Sequence, residues 1–183
     1  MATAIFLLLI AAPGNAQKLV IAWTSVSAFN SPFWIMPDAG LYKQEGLDVD
    51  TIFILSSPTA AKATLAGEIA ISAQNSQVVA DSGLAGGDLV SMGAVVNMVP
   101  FYMMAIPEIK TIADLKGKSV GISRFGAASD FGTRMFLAKH GIEANKDVAF
   151  VQIGGQPEIA IALSKKLIAA AAMSQPMAAV AEQ

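Results

Sequence analysis

The sequence predicts an α/β protein built as two doubly wound lobes with a cleft between them. Three observations carry this. Apolar runs of strand length alternate with helical stretches through short connections, the pattern of a parallel sheet covered by helices. The run Lys18-Leu-Val-Ile-Ala-Trp-Thr24 shows no polar alternation, as expected of a strand buried on both faces. After Pro107 the strand–helix tempo restarts. The expected segments are an export-type leader over 1–16, a first lobe over 17–105 and a second lobe over 106–183.

In the leader, Ala4 to Ala12 form an apolar core, and Pro13-Gly-Asn-Ala16 offers small residues before a cut. The positively charged start of an export signal is missing from Met1-Ala-Thr3, so the alternative is a buried N-terminal strand or helix. Nine apolar residues are too few to span a bilayer. On the export reading the mature protein begins near Gln17 and works outside the cytoplasm, periplasmic or secreted.

After the first strand, Ser25 to Ser31 read as a polar loop. Ser31-Pro32 supply an N-cap and a proline at the first helical position. That helix is expected to reach about Gln44 and stop at Gly46, with Pro37 bending its first turns. Leu47–Leu55 reads as a strand, and Ser56-Ser-Pro-Thr59 repeats the serine–proline start of a helix that ends at Gly67. A strand at Ile69–Ser72, the turn Gln74-Asn-Ser76 and a helix to about Ser82 follow. Gly83, Gly86 and Gly87 break the chain before strands at Leu89–Val96 and Tyr102–Ala105. In the second lobe Thr111 caps a short helix to Leu115, and a strand runs from Ser119 to Ile122. A helix from Ser129 to about His140, a strand at Val148–Gln152, a helix from Pro157 and a strand at Ala169–Met173 come next. Residues 176–183 read as the opening of a helix, so the second lobe is expected to be incomplete.

Composition narrows the chemistry. With 54 % hydrophobic and 14 % charged residues the chain has material for a core. A net charge of −2 and twelve scattered basic residues argue against a nucleic-acid surface. The absence of cysteine excludes disulfides, thiolate nucleophiles and cysteine zinc sites, and a single histidine excludes a histidine-rich metal centre. No cofactor or metal is expected.

Ligands of open α/β sheets collect at the carboxyl ends of the strands. Those ends are rich here in hydroxyl, amide and glycine, and poor in acids and bases, which is a vocabulary for holding a solute. The turn Phe125-Gly-Ala-Ala-Ser129 lacks bulk, so its backbone can approach a ligand, and the following helix aims its positive end there. Arg124 either neutralises an anionic ligand or lies along the surface. Phe29 and Phe33 are pocket candidates; for Trp23 and Trp34 core packing is favoured. Catalytic motifs fail. Gly121-Ile-Ser-Arg-Phe125 begins like a nucleophile elbow but carries Phe125 in place of the second glycine, and Gly83-Leu-Ala-Gly-Gly87 lacks phosphate-loop spacing. His140 falls at a helix C-terminus, where it complements the dipole.

Two phrases, Pro32-Phe-Trp…Gly40-Leu-Tyr-Lys-Gln-Glu-Gly-Leu-Asp-Val49 and Asp114-Leu-Lys-Gly-Lys-Ser-Val-Gly-Ile-Ser-Arg-Phe-Gly126, carry a family resemblance. The chain resembles the solute-binding proteins of nitrate/sulfonate/taurine-type ABC importers, a superfamily shared with thiamine-pyrimidine-precursor binders and synthases. The resemblance implies a type II periplasmic-binding-protein fold, monomeric and non-catalytic, that closes on a small solute and docks on a membrane permease. It implies ligand contacts from Ser25, Ser27, Asn30, Ser57, Asn75, Gly126, Ala127 and Ser129, beside the candidate Arg124. Ala127 and Ala128 stand where relatives often carry hydroxyls, and the usual Gly-x-x-Asp reads Gly67-Glu-Ile-Ala70 and Lys166-Leu-Ile-Ala169. Relatives also carry more chain that completes the second lobe. The alternatives are a pyrimidine-precursor synthase-like enzyme and the sensing domain of a signalling protein.

Overall fold

A computed structural model describes residues 18–182, so the leader expected over 1–16 lies outside the described residues. Two sheets organise the chain. The first has three parallel strands in the order β2-β1-β3, with β1 at Leu19–Trp23, β2 at Val49–Phe53 and β3 at Ile71–Ala73. The second has four strands in the order β4-β7-β5-β6: Tyr102–Ala105, Ala170–Met173, Ser119–Ile122 and Ala149–Gln152. There β5, β6 and β7 run parallel, and β4 pairs antiparallel with β7. Tyr102–Ala105, assigned to the first lobe by the boundary at 105, is therefore hydrogen-bonded in the second sheet.

Helices connect the strands. In the first lobe they are α1 (Pro32–Asp38), α2 (Leu41–Gln44), α3 (Ser57–Leu65) and α4 (Ser76–Leu84). In the second they are α5 (Ala128–Lys139), α6 (Gln156–Ser164) and α7 (Met177–Ala181). The single helix expected over 32–44 is two, because Gly40 takes φ +67°, a left-handed value that stops one helix and starts the next. Neither expected serine cap forms. Ser31 is itself helical, and Ser56, at φ +86°, turns its hydroxyl to Thr59 Oγ1 at 3.3 Å. Asn75 does cap its helix, accepting from the Val78 N–H at 3.1 Å.

The strand expected at Leu89–Val96 is absent; residues 87–101 are irregular. Strand propensity reports fit to a half-buried pleated surface, and no described strand lies alongside. Val90 and Met92 stay 79 % and 76 % exposed. The end of the segment is anchored, since Phe101 and Val99 press on Gly132 of α5, where a Cβ would meet them at 3.0 and 3.1 Å.

The second lobe holds two buried clusters. One gathers Leu115, Val120, Leu137, Ile142, Val148, Ala169 and Ala170, the other Ile159, Ala162, Leu163, Ile168, Ala171, Met173 and Ala178. Strand β7 is three alanines and a methionine, all buried, and its small side chains admit helices closely. Gly121 of β5 is needed for the same reason: a Cβ there would stand 2.4 Å from Ile168 Cδ1.

Ahead of β5, Asp114 accepts from the Thr111 N–H at 2.7 Å and the Lys110 N–H at 3.0 Å. These donors, Thr111 first, and the Thr111 hydroxyl hold its carboxyl below the ordinary carboxylate value. The folded chain thus gives up this proton more readily than the unfolded chain. The stabilisation is present above the unfolded carboxylate pKa of about 3.9 and is lost as pH falls through the lower folded value. In Asp114→Asn the midpoint of thermal unfolding is expected to drop near pH 7 and to converge on wild type at the acid end. Melts between about pH 2.5 and 7 read this; a constant offset across that range would contradict it.

Candidate functional site

A cleft of about 940 Å³ lies between the two sheets, at the carboxyl ends of β1, β3 and β5. Its floor is set by sheet topology: each parallel strand delivers the chain into a loop on the same side, and the next helix begins there. Four helices, α3, α4, α5 and α6, start on this cleft with Ser57, Ser76, Ala128 and Gln156. Each N-terminus carries about +0.5 of an elementary charge and unpaired N–H groups. Among the described lining residues the only ionisable side chains are Asp88 and Glu158; no lysine, arginine or histidine lines the cleft. Positive potential there comes from backbone rather than from side chains.

Of the nominated residues, Ser25, Asn30, Ser57, Asn75, Ala127 and Ser129 line the cleft. Most are engaged with one another. Asn30 Nδ2 donates to the Ser25 carbonyl at 2.7 Å and to Ser25 Oγ at 2.9 Å. Ser27 stands behind them, buried, with its hydroxyl 3.0 Å from that of Ser25. Ser57 Oγ accepts from the Asn75 N–H at 3.1 Å. Ser129 Oγ lies 2.6 Å from Ser123 Oγ and accepts from the Ser123 N–H at 2.9 Å. These groups brace the walls.

The turn at 125–127 differs from the open cradle that its composition suggests. Asp130, buried, takes the Gly126 N–H at 2.8 Å on Oδ2 and Arg134 Nε at 2.7 Å on Oδ1. Gln152 Oε1 takes the Phe125 N–H at 3.3 Å, and the Arg124 carbonyl takes the Ala127 N–H at 3.1 Å. The N–H groups of Ala128, Ser129 and Asp130, at the start of the helix, have no acceptor among the described residues, and of these three residues Ala128 and Ser129 line the cleft. Arg124 is exposed and does not line the cleft, and Gly126 reaches it only through its neighbours. Gly126 does join the lobes: its carbonyl accepts from Asn75 Nδ2 at 3.2 Å, and a Cβ there would meet Pro58 Cγ at 3.2 Å. A second link runs from the Ala28 N–H to the Gln175 carbonyl at 2.9 Å.

Phe29 and Phe33 line the cleft, whereas Trp23 and Trp34 do not and instead pack edge-to-face at 5.0 Å. Ser72, Gln74, Ser76 and Gln156, which lie in strand ends expected to meet a ligand but were not singled out as contacts, also face it, and Ser123 and Glu158 do so without having been marked by the sequence. The clue available was position, since each lies within a few residues of a strand's carboxyl end. His140 sits at the far end of α5 beside the Phe136 ring, 4.8 Å away, and takes no part in the cleft. Among the described residues no three metal-ligating side chains gather, and no helix is long and apolar enough to cross a membrane.

Residues 30–181 match a single family along their length. This chain belongs to the NMT1/THI5-like family. Its fold is that of type II periplasmic binding proteins. The alkanesulfonate-binding protein SsuA of Xanthomonas axonopodis pv. citri, bound to MOPS, superposes with a TM-score of 0.72 at 19 % identity over 87 % of this chain and 55 % of that one. The periplasmic aliphatic sulphonate binding protein SsuA of Escherichia coli does so at 0.66 and 20 %, over 90 % and 53 %. A ligand-binding component of an ABC-type import system from Staphylococcus aureus, with zinc bound, does so at 0.70 and 14 %, over 91 % and 57 %. This family member thus spans little more than half the length of those chains. A comparison with curated proteins finds no significant match.

Proposed function

We propose that this chain is the extracytoplasmic solute-binding component of an ABC importer. It captures a small anionic or nitrogen- or sulfur-containing solute between its lobes and presents it, chemically unchanged, to a membrane permease. The observation that carries this reading is the convergence of four helix N-termini on one cleft walled by hydroxyl, amide and glycine. Such an arrangement holds negative charge with backbone N–H groups. It lacks an opposed acid and base for moving protons, and the chain's one histidine lies elsewhere. The likeness to sulfonate-binding and other import components supports the same reading.

Thermal melts with nitrate, bicarbonate, taurine, alkanesulfonates and hydroxymethylpyrimidine test it. A true ligand at about a hundred times its Kd is expected to add about 2.7 kcal/mol to stability. A cooperative melt that no compound in the panel raises would count against capture of this solute class.

A further inference from the structure

Among the described residues the chain passes from the first sheet to the second once, through the irregular stretch 87–101. Within it, residues 88–100 make one hydrogen bond, from Ser91 Oγ to the Gly93 carbonyl at 3.4 Å. Such a crossing tethers the lobes without fixing the angle between them. That angle is left to contacts across the cleft, and among the described residues two hydrogen bonds make the link. One joins the Ala28 N–H to the Gln175 carbonyl at 2.9 Å, with the ring of the next residue, Phe29, edge-on to Phe101 at 6.4 Å. The other joins Asn75 Nδ2 to the Gly126 carbonyl at 3.2 Å.

Asn75 is held from its own lobe at two points. Its N–H donates to Ser57 Oγ at 3.1 Å, at the start of α3. Its Oδ1 accepts the Val78 N–H at 3.1 Å and caps α4. With that oxygen committed to a donor, the amide presents its Nδ2 to the Gly126 carbonyl. Gly126 is as firmly placed in the other lobe. Asp130 Oδ2 takes its N–H at 2.8 Å, and its φ of +76° is one that few other residues adopt. Pro58 closes the contact, since a Cβ on Gly126 would meet its Cγ at 3.2 Å. Donor and acceptor are each ordered before they meet, so their bond costs little side-chain entropy. It is made of protein atoms only.

We propose that Asn75 is a latch: its side chain holds the two lobes together across the cleft whether or not a solute is present. It is a positioning residue, acting on the opposite lobe rather than on a solute. The resting chain is mostly shut, and on the capture reading a solute enters through the small unlatched fraction.

Spin-label distances in the whole chain, measured without any solute, test this, and their outcome does not depend on the capture reading. The chain has no cysteine, so Lys62→Cys on α3 and Lys139→Cys at the end of α5, both exposed, place one label in each lobe. The doubly labelled parent is expected to show one narrow distance population. Asn75→Asp and Asn75→Ser both keep a capping oxygen for α4. The first replaces the Nδ2 donor with an acceptor, and the second is too short to cross the cleft. Each is expected to raise the open-to-closed ratio about tenfold, seen as a second, longer population, while helix content by circular dichroism stays that of the parent. A parent already spread over long distances would overturn the proposal, as would variants whose distances match the parent's. A shift in Asn75→Asp alone would overturn it too, because charge repulsion and not the missing donor would then be responsible.

Discussion

Replacing Asp130 with alanine is expected to lower stability by about 2–3 kcal/mol. Asp130 is the third residue of α5 and is only 6 % exposed. One oxygen accepts the Gly126 N–H and the other the Arg134 guanidinium, so the side chain ties the turn to its own helix. Alanine leaves the Gly126 N–H without its acceptor and removes a negative charge from the positive end of the helix. Two controls separate these effects. Asp130→Asn keeps an acceptor for Gly126 and is expected to cost about half as much. Arg134→Ala removes the ion pair and the contact over Phe150, but that side chain is 39 % exposed, so under about 1 kcal/mol is expected. Urea unfolding of the three variants reads the order. A loss in Asp130→Ala no larger than in Arg134→Ala would show that the bond to Gly126 contributes nothing.

Leu137→Ala is expected to cost still more, about 2–5 kcal/mol. Leu137 is fully buried and meets Leu115, Val120, Ile142, Val148, Ala169 and Ala170 beneath α5. Two of these partners are alanines, Ala170 on β7 and Ala169 just before it, whose short side chains cannot reach into the space, which puts the loss toward the upper half of that range. Because α5 also carries Ala128 and Ser129 into the cleft, its loosening is expected to reach the binding site. Leu84→Ala is the contrasting case. Leu84 is 89 % exposed and its truncation is expected to stay within about 0.5 kcal/mol. Denaturant midpoints at constant slope give both values, and near-equal losses would deny α5 its place over this cluster.

The regular elements were legible where local signals agreed. The strand Ser119–Ile122 stands where its apolar run between Gly117 and the small-residue turn put it. The helices that start at Ser57 and Ala128 begin within about a residue of where the serine–proline pair and the end of the glycine turn put them, and α4 follows the polar turn at Gln74-Asn75. What escaped depends on groups distant in sequence. Residues 89–96 have the apolar content of a strand, yet a strand exists only beside another, and residue order does not disclose that neighbour. Tyr102–Ala105 was read as a strand, but its pairing could not be read, because its partner Ala170–Met173 comes far later in the chain.

The site followed the same division. Serines and amides at strand ends marked the cleft, and six of the nine nominated residues line it. For Arg124, open between an anion partner and a surface residue, the structure gives an exposed position outside the cleft lining. The N–H groups of the Gly126 turn were expected to face a ligand, but Asp130, four residues on, reaches back for one of them. Gln74 was named only as a turn residue, since nothing local reveals that its oxygen is buried without a partner.

The strand order of the second sheet also has a consequence for biosynthesis. Among the described residues its interior strand β7 is translated after its three neighbours in the sheet, ending 51 residues after Ile122 closes β5 (173 − 122). At about 5–20 residues per second the nascent second lobe waits roughly 3–10 s for it. During that interval β4 and β5 are two separated edges with no strand between them. The first sheet, whose described strands lie before residue 74, can form much sooner. Emergence from the ribosome thus creates a half-folded species with an unfilled strand slot, a natural binding place for a chaperone that holds extended chain.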